Sequence, residues 1–248
     1  MATSMEKVVS NTAKSSILSE DNLRYERKYI CSSAYLEDLV QDLFSNSYGF
    51  EEIFEKRRIN NVYFDDCNYN FYKQNVSGIG TREKYRLRWY GDNFSLLKNP
   101  SIEIKKKFGE VGDKITHKLG DLVLDIKSLS IYNLMEIVTN EIEDNPLLKN
   151  RLQQLQPALY NSYERRYFLS DCKKFRITLD FHQRFYDPYY TNYVASERRI
   201  EDDIVVLELK YNLNDDGEAR GISQEFEYRV SRNSKYVQGI DLIKGLSF

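Results

Sequence analysis

The segment 81–91 reads TREKYRLRWYG, and cations recur in it at every second position. These cations are Arg82, Lys84, Arg86 and Arg88. Residues two apart in a β-strand project from the same face, so this period predicts a strand with one cationic face. Leu87 and Trp89 have the opposite parity, which predicts that the other face packs into an apolar core.

Several further segments alternate with the same period and are separated by Gly, Asn and Asp turn signals. The predicted strands span residues 24–31, 58–65, 82–90, 101–108, 114–119, 162–169, 175–181, 204–211 and 224–231. Many short strands in succession favour a closed antiparallel β-barrel. The predicted fold class is therefore mainly β (α+β), a closed antiparallel barrel with flanking helices.

Helical spacing of apolar residues marks two other regions. Residues 33–44 predict an amphipathic helix, and residues 121–156 predict two or three helices interrupted at Pro146. A β-rich chain of 248 residues is typically one domain, so we expect a single domain over 21–248 and a flexible segment over 1–20. No apolar run resembles a signal sequence or a membrane span, which predicts a cytoplasmic protein without membrane insertion.

The overall charge argues against a general attraction to nucleic acid. The chain carries 36 Lys and Arg against 38 Asp and Glu, so any affinity for anions must be local. Only two histidines are present, which disfavours a zinc site built from imidazoles.

The charged strand faces allow two interpretations. An antiparallel sheet often has one dry and one solvated face, and mixed charge on the solvated face is then ordinary. Alternatively, the charged faces point into the barrel, where burial requires a counter-charge. The second interpretation is favoured because Arg and Lys predominate and the pattern Glu-x-Lys recurs. The recurrences are Glu26/Lys28, Glu103/Lys105 and Glu208/Lys210.

A lining of both Arg and Lys suits a chain of phosphates. Guanidinium groups fork onto phosphate oxygens, and ammonium groups act as compact point charges. Glutamates on the same faces offer hard oxygen ligands to Mg²⁺ or Mn²⁺, which bind through one or two carboxylates together with substrate phosphates. The candidate metal ligands are Glu208, Glu26 and Glu103.

Seven short motifs follow one another in the order of a known family. They are RYERKY (24–29), YRLRWYG (85–91), SIEIKKK (101–107), SYERRYF (162–168), FRITLD (175–180), VLELKY (206–211) and RNSKY (232–236). The set resembles the polyphosphate polymerase domain of the vacuolar transporter chaperone (VTC) complex, within the triphosphate tunnel metalloenzyme (CYTH) superfamily, in a stand-alone prokaryotic form. The resemblance implies a tunnel barrel that transfers the γ-phosphate of ATP onto polyphosphate with Mn²⁺ or Mg²⁺.

The same resemblance implies a set of site residues. The catalytic, phosphate-binding cations are Lys28, Arg86, Arg88, Lys105, Arg165, Arg176 and Lys235. The implied substrate-binding residues are Tyr163, Ser234 and Lys114, and Glu208 is implied to hold the metal. Strand parity adds Lys107 and Lys210 to the substrate-binding candidates. The implied partners are ATP and polyphosphate, or another triphosphate, with an unidentified membrane partner as a further candidate and no nucleic acid.

Two rival functions are compatible with the same residues. Water could be the phosphate acceptor, which would make the protein a metal-dependent triphosphatase. Alternatively, the tunnel could hold polyphosphate without chemistry and serve as a binding module. The residue pattern alone leaves all three functions open, with transfer favoured because basic residues outnumber the candidate glutamates.

Overall fold

A computed structural model describes residues 24–189, 199–201 and 203–245 of the protein. For Lys127 and for residues 199–201 it describes the backbone alone. The strands are β1 (Arg24–Ser32), β2 (Phe50–Asp65), β3 (Thr81–Tyr90), β4 (Leu96–Lys98), β5 (Ser101–Phe108), β6 (Val111–Lys118), β7 (Val123–Asp125), β8 (Gln156–Ser170), β9 (Arg176–Tyr186), β10 (Arg199–Glu201) and β11 (Ile204–Asn212). The α-helices are α1 (Leu36–Ser45), α2 (Asn70–Val76), α3 (Ile131–Asn140), α4 (Pro146–Gln153), α5 (Asp216–Glu225) and α6 (Lys235–Lys244). The predicted flexible segment 1–20 lies outside the described residues, and the predicted domain bounds stay a prediction.

Eight strands close into an antiparallel ring. Their order is β8, β9, β11, β1, β6, β5, β3 and β2, and β2 pairs with β8 to complete the ring. The contact between β1 and β6 is the narrowest, with a single registered pair, Arg24 and Gly112. Closure gives every ring strand an inner and an outer face, and the closed antiparallel barrel predicted from the sequence is confirmed.

Helices cover the outside of the ring in two apolar clusters. Helices α2, α3 and α4 pack with β2, β3 and β5, and α6 packs on β8 and β9, in one cluster in which Leu87 and Trp89 are fully buried. Helices α1 and α5 pack on β1, β9 and β11 around Leu43 and Leu207. Each such buried side chain contributes about 1.5–3 kcal/mol of transfer free energy. Because the apolar parity of the ring strands faces these helices, the charged parity faces the interior.

Some predicted elements were wrong. Residues 224–231 were predicted as a strand, but α5 extends to Glu225, and within the described residues 226–231 the strand pairing is limited to an isolated bridge between Tyr29 and Val230. Ala219 and Ile222 are buried at helical spacing and hold α5 against the ring, whereas the Gly217 beside them had suggested a turn. Region 121–156 contains the short strand β7 besides two α-helices. Helices α2 and α6 were not predicted.

Among the described residues, no helix has the length and apolarity that crossing a bilayer requires.

Candidate functional site

A glutamate on β5 collects three cations inside the ring. Arg86 Nε lies 2.8 Å from Glu103 Oε2, and Lys114 Nζ lies 3.0 Å from Glu103 Oε1. Arg88 approaches the same carboxylate at 3.4 Å and donates to the Tyr163 hydroxyl at 3.1 Å. Burial raises the pKa of Glu103, but Arg86, Arg88 and Lys114 outweigh it and hold the pKa well below its usual range. Glu103 is therefore ionised and surrounded by positive charge.

A lysine on β1 joins two further glutamates. Lys28 Nζ lies 3.0 Å from Glu26 Oε1 and 2.8 Å from Glu208 Oε1. Lys105 Nζ binds Glu26 at 2.5 Å, and Lys210 Nζ binds Glu208 at 2.8 Å. Burial raises the pKa of Glu208, yet Lys210, Lys28 and other nearby cations bring it well below its usual value. Two ionised carboxylates thus lie close together on adjacent strands.

An aspartate that sequence reasoning did not select as a site residue, Asp180, pairs with two of the tunnel cations. Asp180 is fully buried, and its Oδ2 accepts from Arg165 Nη2 at 2.6 Å and from Lys235 Nζ at 2.5 Å. Lys235 reaches the ring from the first turn of α6, and its Nζ lies 4.7 Å from the centre of the Tyr163 ring. The available signal was parity, because Asp180 follows Arg176 and Thr178 on the polar face of β9.

The inner face of the ring has more cations than carboxylates. The cations are Lys28, Lys84, Arg86, Arg88, Lys105, Lys107, Lys114, Arg165, Lys210 and Lys235, and the carboxylates are Glu26, Glu103, Asp180 and Glu208. We call this lining the cationic tunnel. Its excess positive charge is costly to keep out of water and would be compensated by a bound polyanion.

Lys84 shows this excess most directly. Its Nζ donates to Ser234 Oγ at 2.9 Å, and no described carboxylate forms an ion pair with it. Burial lowers its pKa well below the usual value, and Lys105 and Lys28 lower it further. Parity places Lys84 on the correct face, but Lys84 was not selected as a site residue. Its lack of an ion pair depends on tertiary contacts, which the pattern of a single strand does not reveal.

The structure brings most of the predicted site residues together. Those in direct contact inside the ring are Lys28, Arg86, Arg88, Lys105, Arg165, Lys235, Lys114, Tyr163, Lys210, Glu208, Glu26 and Glu103. Ser234 is the N-cap of α6 and accepts from Lys84. Lys107 is half-buried, and burial, Arg82 and Lys105 lower its pKa.

Arg176 is not brought into this cluster. It is exposed at the first residue of β9, opposite Lys210 in the register, and its side chain makes no ion pair with a described residue. A strand end lies at the rim of the ring, so the correct parity was not sufficient to bury it.

The carboxylates differ in how well they suit a divalent metal. Among the described residues, no three carboxylate, imidazole or thiol groups converge closely enough to hold a metal without other ligands. Glu26 and Glu208 both contact Lys28, so they offer two hard ligands on one side of the tunnel. This donor set fits Mg²⁺ or Mn²⁺ when substrate phosphates supply further oxygens. Glu103 is likewise held by cations, but Arg86, Arg88 and Lys114 pair with no second described carboxylate, so this side of the tunnel offers the ion a single ligand.

An open groove of about 680 Å³ lies outside the ring, beside α1. Glu52 and Arg166 line it and form a bidentate pair, with nitrogen–oxygen distances of 2.9 and 2.7 Å. Because its charges are paired with one another, the groove lacks the uncompensated cations of the tunnel.

Comparison with known proteins agrees with this architecture. The model of the family described as the VTC domain matches residues 23–244. The PH1819 protein from Pyrococcus horikoshii OT3 is similar in structure, with a TM-score of 0.50 and 12% identity over 90% of this chain and 99% of that chain. A putative adenylate cyclase from Vibrio parahaemolyticus has a TM-score of 0.50 and 13% identity over 88% of this chain and 98% of that chain. At such identities the two structures support the fold alone. No curated protein sequence matches the chain.

Proposed function

The chain belongs to the VTC domain family, and from this premise we propose that it transfers the γ-phosphate of ATP onto a polyphosphate chain inside the cationic tunnel. The observation that carries the proposal is the excess of cations over carboxylates on the inner face of a closed ring. A linear polyphosphate is a polyanion that can run along such a lining.

Phosphoryl transfer requires that the reacting oxygens be held in line and that the charge on the phosphates be neutralised. Arg86, Arg88 and Arg165 are suited to grip nucleotide phosphates, because guanidinium groups match phosphate oxygens in a bidentate manner. Lys28, Lys105 and Lys235 would guide the acceptor chain. Since a terminal phosphate oxygen is already anionic, the reaction requires no protein nucleophile and no strong general base.

The four carboxylates have a second role in this proposal. They hold the cations in place before the substrate enters, so the binding groups are oriented in advance. A phosphate chain would then take over the contacts that Glu103 and Asp180 make with Arg86 and Arg165. Glu208 and Glu26 would hold Mn²⁺ or Mg²⁺, which when bound neutralises charge on the phosphates.

The decisive experiment incubates the protein with ATP and Mn²⁺ and separates the products on a gel. Long polyphosphate supports the proposal. Free phosphate alone would instead indicate a triphosphatase, and binding of polyphosphate without turnover would indicate a binding module.

Two variants sharpen this test. Glu208→Gln should lose turnover while keeping or increasing its affinity for polyphosphate, because it removes a metal ligand and a negative charge together. Glu52→Gln changes a carboxylate on the outer groove and should leave turnover unchanged. Equal turnover in wild type and Glu208→Gln would contradict the role of Glu208. The cytoplasmic location and the membrane partner remain predictions from the sequence.

A further inference from the structure

Aromatic side chains lie at one rim of the ring, called here the tunnel mouth, where β3 ends at Tyr90 and β2 pairs with β8. Phe54 and Tyr90 are each 47% exposed, although aromatic side chains elsewhere on the ring are mostly buried. Phe54 packs edge-to-face on Tyr167 with ring centres 5.7 Å apart. We call Phe54, Arg57, Tyr90 and Tyr167 the mouth cluster.

The backbone of β2 creates this cluster. Its register with β8 shifts twice, between Glu52 and Phe54 and between Phe54 and Arg57. These shifts place Phe54 opposite Tyr167 and Arg57 opposite Arg165, so the Phe54 ring borders both Tyr167 and the open groove beside α1. Strand irregularities of this kind commonly redirect side chains next to functional sites.

Guanidinium groups cover the aromatic rings. Arg57 Cζ lies 4.6 Å from the centre of the Phe54 ring and 5.7 Å from that of Tyr167. Arg165, which binds Asp180 inside the tunnel, lies 5.9 Å from the Tyr167 ring centre. Tyr167 therefore connects Phe54 and Arg57 to Arg165, one of the proposed phosphate-binding cations.

The spacing suits a nucleotide. Residues 165 and 167 are two positions apart on one strand, which separates them by about 7 Å along the tunnel. A ribose can bridge this separation, with phosphates at Arg165 and a base at the mouth. Exposed aromatic rings and a flat guanidinium stack on any nucleobase, because every base has a π-face.

We propose that the mouth cluster is a stacking platform for the base of a nucleoside triphosphate whose phosphates occupy the cationic tunnel. The inference rests on the proposed function, since it presumes that phosphates bind in the tunnel. It goes further by assigning a base-binding surface to the mouth cluster and nucleotide entry to this end of the tunnel. Stacking tolerates different bases, so ATP and GTP should bind with similar affinity.

The test compares the binding of ATP and of inorganic tripolyphosphate by calorimetry. Phe54→Ala should weaken ATP binding about tenfold, as expected for loss of a base–aromatic contact, and should change tripolyphosphate binding less than twofold. Phe54→Leu should weaken ATP to a similar extent, because it keeps apolar volume and loses the ring. Tyr132→Ala removes an aromatic side chain that is 76% exposed on α3 and should change neither ligand.

Each outcome decides between the two proposals. Equal weakening of both ligands in Phe54→Ala, or no change in either, would overturn the platform while the tunnel proposal stands. Failure of wild type to bind tripolyphosphate would contradict the tunnel proposal. Quenching of a fluorescent 2-aminopurine nucleotide then still reports on the platform directly, and an absence of quenching in wild type would overturn it.

Discussion

Lys84 is a half-buried amine that donates to the Ser234 hydroxyl and forms no ion pair with a described carboxylate, so its charge is poorly supported in the free protein. Burial, Lys105 and Lys28 together lower its pKa well below the usual 10.5. A bound phosphate chain would raise that pKa, because an anion favours the ammonium form. The binding of polyphosphate is therefore expected to take up protons from solution.

We predict that tripolyphosphate binding takes up protons above the lowered pKa of Lys84, and that apparent affinity falls as the pH rises through this pKa. Calorimetry in buffers of different ionisation enthalpy measures the number of protons. Lys84→Gln should reduce that number, whereas Lys98→Gln, at an exposed position on β4, should not. A binding enthalpy independent of the buffer would contradict this account of Lys84.

Asp180 has the complementary role of holding two cations in place. We predict that Asp180→Asn lowers the free energy of unfolding by about 3 kcal/mol, because Arg165 and Lys235 lose their shared buried carboxylate. Tripolyphosphate should restore more stability to this variant than to wild type, since the ligand replaces the missing negative charge. Urea unfolding with and without tripolyphosphate checks both points.

The matched control is Glu218→Gln, which removes a carboxylate from an exposed pair with Lys174 on the outside of the ring. It should behave like wild type in both conditions. If tripolyphosphate stabilised Asp180→Asn no more than wild type, Asp180 would not be standing in for a phosphate.

At the scale of elements, α6 brings Lys235 into the tunnel. The close packing of α6 on the ring depends on Gly239. A Cβ built on Gly239 would lie 2.4 Å from Leu159 Cδ2 and 2.6 Å from Phe185 Cδ1. Both contacts belong to the strands β8 and β9, so α6 can approach the ring only where no side chain intervenes.

Gly239→Ala should therefore displace α6 and destabilise the protein by about 1–3 kcal/mol, the usual cost of overpacking. Tripolyphosphate affinity should fall with it, because Lys235 and Ser234 move with the helix. Gly217→Ala is the matched control, since a Cβ there meets nothing within 4 Å, and it should be neutral or stabilising by up to about 1 kcal/mol. Thermal melting and calorimetry measure the two effects, and a Gly239→Ala protein as stable as Gly217→Ala would contradict the close packing.

Elements in which apolar and charged residues alternate along the element itself were predictable from the sequence. β3 alternates cleanly, and Trp89 is buried as its parity predicted. The first half of β2 was missed because 50–57 reads FEEIFEKR and most of its side chains are exposed, so no apolar period marks it. α6 did carry a signal, with Ser234 as N-cap and buried Ile240 and Ile243 at helical spacing, but the segment 232–236 was interpreted only as a motif.

The residue types that line the tunnel were likewise predictable, but which of these residues contact one another was not. Parity assigns a residue to a face, and it cannot say which strands meet across the ring. Asp180 and Lys235 are 55 positions apart and meet because α6 returns to the ring after the last strand. The rim position of Arg176 and the redirected Phe54 also depend on strand ends and register shifts that leave no periodic signal.

For the whole molecule, closure of the ring converts ordinary strand amphipathicity into a functional interior. Apolar outer faces are covered by helices, so the charged faces of separate strands must share one lining. The chain as a whole carries a net charge of −2, which shows that the positive field is local to the tunnel. Affinity for polyphosphate should therefore arise from position rather than from net charge.

A crystal structure of the protein soaked with inorganic tripolyphosphate and Mn²⁺ tests this claim most directly. We predict phosphate density inside the ring, with oxygens about 3 Å from the side-chain nitrogens of Arg86, Arg165 and Lys235. Phosphates bound only on the outer surface, with these three cations still paired to Glu103 and Asp180, would contradict it.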